Sequence, residues 1–153
     1  MYEDRIEKAY ALFMKGYNCA QSVTAAFADL YGLTEEQALL ASASFGGGMG
    51  RMRLTCGTVT GMFLLAGLES GTTNPDDREL KARNYAMVRE LAERFKTENG
   101  SIVCSELLQM GNKTESAMPS ERTAAYYKKR PCPELVRCAA RIYAQMLEEK
   151  KSV

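Results

Sequence analysis

The chain contains no histidine. That absence removes Ser-His-Asp and Cys-His catalysis, His-ligated zinc or haem, and imidazole acid–base chemistry. No apolar run reaches the roughly 18 residues of a membrane-spanning helix. Neither sign of charge dominates: 20 basic and 19 acidic residues leave a net charge of +1. A dedicated nucleic-acid binder normally shows a clear basic excess, so that class is excluded. The opening residues, Met1-Tyr2-Glu3-Asp4-Arg5, lack the charged and apolar regions of a signal peptide. The expectation is a cytoplasmic protein with no nucleic-acid partner and no membrane span. There is no C-x-x-C pair, so zinc fingers, thioredoxin-like motifs and c-type haem attachment have no support.

What is present is ordinary in bulk. The 153 residues, 46% apolar and 25% charged, suit one globular domain spanning residues 1–153. Five cysteines stand out in a chain expected in a reducing compartment. There, metal binding, redox work or core filling are the live roles, rather than structural disulfides.

The periodicity is helical almost throughout. Ile6, Tyr10, Phe13 and Tyr17 form one core-facing stripe. Asn18 is placed to cap a second helix carrying Val23, Phe27 and Leu30, which Gly32 ends. Thr34 and Gln37 have capping-box spacing for a short third helix that stops near Phe45. Gly46-Gly47-Gly48-Met49-Gly50 is irregular. Residues 55–68 read as a helix apolar nearly all round, the mark of a buried central element. Asn74-Pro75-Asp76-Asp77 reads as the start of a helix running to about Glu98. Ser101 is placed as the cap of a short helix ending near Gln109. Residues 111–120 are loop, residues 121–130 a further helix, and the last helix runs to about Lys151 with Leu135, Ala139, Ile142 and Met146 inward. The fold class is all-α: a single compact domain of six to eight helices around a buried apolar central helix.

On that map Cys19, Cys56, Cys104 and Cys132 each fall at a predicted helix cap or first turn. Unpaired N–H groups and the helix dipole lower a thiol's pKa there, giving the thiolate that binds metals and exchanges disulfides. If the fold brings them together they form one site. Taken singly, each is more often a buried core residue. Cys138 lies on the core side of the last helix and reads as a small buried apolar residue.

The glycine stretch fails G-x-G-x-x-G spacing, and no strand precedes it. It reads either as a turn with positive φ or as backbone made bare to approach a ligand, with N–H groups aimed at sulfur. Gly57 and Gly61, one helical turn apart, admit a close-packed neighbouring helix. Arg51 and Arg53 read first as solvated, with compensation of thiolate charge as the alternative. The segment 122–141 holds six bases against the single acid Glu134. It reads as a solvated helix end, or as a device that lowers a thiol pKa or docks an acidic partner.

Several segments together resemble the C_GCAxxG_C_C family of small bacterial and archaeal redox-active proteins. They are Gly16-Tyr17-Asn18-Cys19-Ala20-Gln21, Phe45-Gly46-Gly47-Gly48-Met49-Gly50-Arg51, Cys56-Gly57-Thr58-Val59-Thr60-Gly61, Glu98-Asn99-Gly100-Ser101-Ile102-Val103-Cys104 and Cys132-Pro133. The likeness runs from about Arg5 to Leu147. The family cysteines fall on Cys19, Cys56, Cys104 and Cys132, and Cys138 has no place in the pattern. Thr58 departs from the family's alanine.

The resemblance implies a bound iron–sulfur cluster, and a partner that is an oxidoreductase or a transporter-associated protein. Four soft thiolates without nitrogen donors suit iron–sulfur, most simply 2Fe–2S, or zinc. The expected cluster ligands are Cys19, Cys56, Cys104 and Cys132, with Gly47, Gly48 and Gly57 lining the cofactor. Two rivals remain open. One is a cluster-free thiol–disulfide redox protein using the same cysteines. The other is a non-enzymatic helical domain with a four-thiolate zinc site or none. Homodimerisation also stays open.

Overall fold

The computed structural model describes residues 2–111 and 115–152. Among them 69% are helical, in eight α-helices and two 3-10 turns, with no strand. The helices are α1 (Glu3–Met14), α2 (Cys19–Phe27), α3 (Glu35–Ser42), α4 (Gly57–Ser70), α5 (Arg78–Asn99), α6 (Cys104–Leu107), α7 (Ala124–Lys129) and α8 (Cys132–Lys151). Ala28–Tyr31 and Ala43–Phe45 form the 3-10 turns after α2 and α3. The all-α reading holds. No helix among the described residues is long and apolar enough to cross a membrane.

The two capping boxes form as the spacing predicts. Asn18 accepts from the Gln21 N–H while the Gln21 side chain accepts from the Asn18 N–H, and Thr34 and Gln37 repeat the exchange at α3. Each satisfies two donors that a helix start would otherwise leave bare. The starts of α5 and α6 lie later than predicted. Asn74 caps a tight turn by accepting from the Asp76 N–H, and Asp77 takes the cap of α5 by accepting from Leu80. Ser101 holds a turn by accepting from the Val103 N–H, and α6 opens only at Cys104.

Two helices share the centre. α4 packs against α2, α5 and α8, while α1 packs against α2 and α8. Only α4 was expected in that position, yet α2 is buried at every residue except Gln21. Small side chains explain this. A Cβ on Gly61 would lie 3.0 Å from Val23 Cβ and 3.1 Å from the Ala20 carbonyl, so the two backbones run in near contact. α4 is enclosed through its first half, but Gly67 and Leu68 reach solvent, a correction to the expectation of burial all round. Tyr143 of α8 ties the core together by donating to the Leu65 carbonyl at 3.2 Å.

Candidate functional site

The segment before α4 sets the site. Five consecutive residues, from Gly47 to Arg51, have φ between 59° and 71°, and Arg53 follows at 59°. For Met49, Arg51 and Arg53 this left-handed backbone costs about 1–2 kcal/mol each. Gly48 is obligatory there, because a Cβ would lie 2.6 Å from the Leu54 nitrogen. The N–H groups of residues 49–54 all donate to carbonyls within residues 44–49. They are spent on closing the turn, so the reading of N–H groups aimed at sulfur does not hold for them. The turn's product is the placement of Arg51 and Arg53.

Beyond the turn the chain is extended. Thr55 bridges Val103 in antiparallel fashion, Cys56 donates to the Ile102 carbonyl at 2.8 Å, and Cys104 donates to the Leu54 carbonyl. Side chains alternate along extended backbone. Cys56 and Cys104 therefore leave the bridge on one face, as diagonal neighbours. Each then sits at the start of a helix, Cys56 as the cap of α4 and Cys104 as the first residue of α6. Cys19 and Cys132 open α2 and α8.

The four residues line one cavity of about 320 Å³, roughly ten times the 30 Å³ share of a single water. Its wall includes the apolar Phe13, Leu107 and Leu135 and the basic Arg51, Arg53, Arg122 and Arg130. Cys56, Cys104 and Cys132 all lie within electrostatic reach of Cys19. All five cysteines are free thiols. Among the described residues, no three His, Cys, Asp or Glu side chains are grouped around a single metal-ion position. Of the three glycines expected at the cofactor, Gly47 lines the cavity, while Gly48 and Gly57 do not. Gly57 acts one step back, since a Cβ there would lie 2.9 Å from Cys19 Sγ.

A family model described as "Putative redox-active protein (C_GCAxxG_C_C)" matches residues 17–146, most of the chain. The chain belongs to the C_GCAxxG_C_C family. No curated protein and no solved structure matches it.

Three thiols of this C_GCAxxG_C_C protein are shifted against the direction that their helix-start positions predict. Burial pushes the Cys132 thiol up to about 12, and raises those of Cys56 and Cys104. Removing an anion from water outweighs the half-charge of a helix terminus, and α6 is a single turn with little dipole to offer. Two contacts work against burial. Thr58 Oγ1 stands 3.1 Å from Cys56 Sγ, and Arg53 Nη1 donates to Cys104 Sγ at 3.6 Å.

Cys138 lies outside the cavity, as the family pattern implies, yet it is only half-buried rather than enclosed in the core. Its thiol donates to Glu98 Oε2 at 2.9 Å and accepts from Asn99 at 3.4 Å. Burial, with the Glu98 carboxylate beside it, pushes this thiol up to about 11.

The basic segment 122–141 divides into separate tasks. Arg122 donates to the carbonyls of Phe13 and Tyr17 and stacks 4.1 Å from the Phe13 ring centroid. Arg130 lies over Tyr126, Arg137 pairs with Glu134 and Glu7, and Arg141 pairs with Glu98. Sequence reading missed Tyr126 and Glu115 at the site, and took Arg122 only as one base of the 122–141 run. The carbonyls that Arg122 binds and the arginines that pair with Glu115 are far away in sequence, and no local spacing signals them.

Proposed function

We propose that this C_GCAxxG_C_C protein is an electron carrier whose Cys19, Cys56, Cys104 and Cys132 hold an iron–sulfur cluster, most simply 2Fe–2S. Its electrons would pass to or from a partner oxidoreductase. The observation that carries the reading is the meeting of the four family cysteines at one cavity, from four separate helix starts. The donor chemistry fits the group: four thiols, and no imidazole anywhere in the chain. The wall fits it too. Four thiolates around a cluster carry net negative charge, and four arginines are among the residues that line that space.

When bound, such a cluster supplies one-electron redox chemistry. The chain's own residues prepare the place. Phe13, Leu107 and Leu135 give the cavity an apolar wall, and Gly57 leaves room for Cys19 Sγ. Thr58 and Arg53 offer polar contacts to two of the four sulfurs. The thiols must release their protons to ligate a metal, so loading is pH-dependent. Thiol–disulfide exchange needs a thiolate at neutral pH, and burial opposes that at three of the four cysteines.

The test is the visible spectrum of protein purified or reconstituted without oxygen. Brown colour with sulfur-to-iron absorption, bleached by dithionite, is the expected result. A colourless protein containing zinc would establish the four-thiolate zinc reading. A colourless, metal-free protein that gains a reversible disulfide on mild oxidation would establish the dithiol reading.

A further inference from the structure

Arg53 is the cation built most deeply into the cysteine cavity. Only 9% of its side chain is exposed. Its backbone adopts a left-handed conformation, φ 59°, which is unfavourable for any residue but glycine. Its Nη1 donates to Cys104 Sγ, and its Nε donates to Glu115 Oε1. Glu115 also pairs with Arg51 at 3.2 Å. Despite partial burial, these two arginines hold its carboxyl below the usual carboxylate range, so Glu115 is charged. Arg51 in turn donates to the Ser116 carbonyl and to Ser120 Oγ, tying this stretch of chain across the cavity. One guanidinium therefore bridges a sulfur on one side and a carboxylate on the other.

We propose that Arg53 is a positioning residue that sets the reduction potential of the cysteine site through Cys104, and that Glu115 offsets part of its charge. The inference rests on the cluster reading above and adds to it the groups that tune the site. Reduction adds one electron from an external reductant to a centre that is already negative, and no bond to sulfur forms or breaks. A buried cation beside the ligand sulfur stabilises the more negative, reduced state and raises the potential. A carboxylate beside that cation acts in the opposite sense. Burial makes both effects resistant to screening by salt. Glu115 is further from the sulfur and 23% exposed, so its effect is the smaller.

The experiment is a dithionite-mediated redox titration of the reconstituted protein, followed by its visible absorption. Arg53→Gln is expected to shift the midpoint to a more negative potential, and Glu115→Gln to a more positive one. Arg53→Lys keeps the charge and is expected to stay near the wild-type value. A residue that merely braced the fold would lower stability without giving opposite shifts to the two substitutions. An unchanged midpoint in Arg53→Gln overturns the proposal, as does a Glu115→Gln shift of the same sign. If Arg53→Gln does not fold, the sign of the Glu115→Gln shift decides. A wild-type protein that binds no cluster overturns the cluster reading itself. A cluster that forms in every variant at one common potential overturns only the role of Arg53.

Discussion

Glycines on a single helix predict opposite outcomes for the same substitution. At Gly57 a new Cβ would meet Cys19 Sγ at 2.9 Å and backbone atoms of Ala20 and Phe45 at 3.1 Å. Gly57→Ala should cost about 1–3 kcal/mol, the range for overpacking a close contact. At Gly67 a Cβ meets nothing within 4 Å, and the position is exposed within the helix. Gly67→Ala should stabilise by about 0.5–1 kcal/mol through reduced chain entropy in the unfolded state. Urea denaturation of the two variants reads both signs. Leu65 is fully buried, and Leu65→Ala should cost about 2–5 kcal/mol in the same assay. A loss below about 1 kcal/mol would mean that the site collapses around the gap. The four cysteines were legible at this scale because each lies at or near a cap, glycine or proline signal. Arg53 and Glu115 were not. A buried arginine has no local pattern, and its partner is distant in sequence.

At the level of elements, helix starts decide where the sulfurs point. Asn18 accepts from the Gln21 N–H and donates from Nδ2 to the Ala43 carbonyl, so it fixes both the start of α2 and the turn after α3. Asn18→Ala should cost about 0.5–2 kcal/mol and loosen the first turn that carries Cys19. Thermal unfolding measures the first effect. Faster alkylation of Cys19 in the cluster-free protein, read by mass spectrometry, measures the second. The caps of α2 and α3 could be read from sequence because donor and acceptor lie three residues apart. The start of α6 could not. The stretch before Cys104 is held extended by its bridge to Thr55, and pairing across that sequence distance overrides the local cap signal of Ser101. The glycine stretch was legible as an irregular turn, but its left-handed run through Met49, Arg51 and Arg53 opposes the intrinsic preference of those residues.

For the whole molecule, burial of the thiols makes stability depend on pH in a defined direction. Burial raises the thiols of Cys56, Cys104 and Cys132 in the folded state, the last to about 12, against about 8.5 when unfolded. The fold therefore favours their protonated forms. In the cluster-free protein that contribution is fully present below about pH 8.5 and is lost as pH rises towards about 12. Denaturant midpoints should fall between about pH 8 and pH 10.5, and Cys132→Ser should fall less over the same interval. A midpoint equally flat or equally steep in both proteins would contradict this assignment. The all-α architecture was legible because nearly every segment carries a helical period. Gly57 and Gly61 signalled a close-packed neighbour for α4, but that the neighbour is α2, buried with it at the centre, was not legible, because α2 carries no apolar stripe wide enough to announce it.

Whether the four cavity cysteines hold a cluster is decided by the content of iron and acid-labile sulfide per chain after anaerobic purification, measured in wild type, Cys138→Ala and Cys56→Ser. Iron and sulfide in equal amounts are expected in wild type and Cys138→Ala, and neither in a correctly folded Cys56→Ser. Iron without sulfide in wild type, or loss of both in Cys138→Ala with Cys56→Ser unaffected, would contradict the cluster reading.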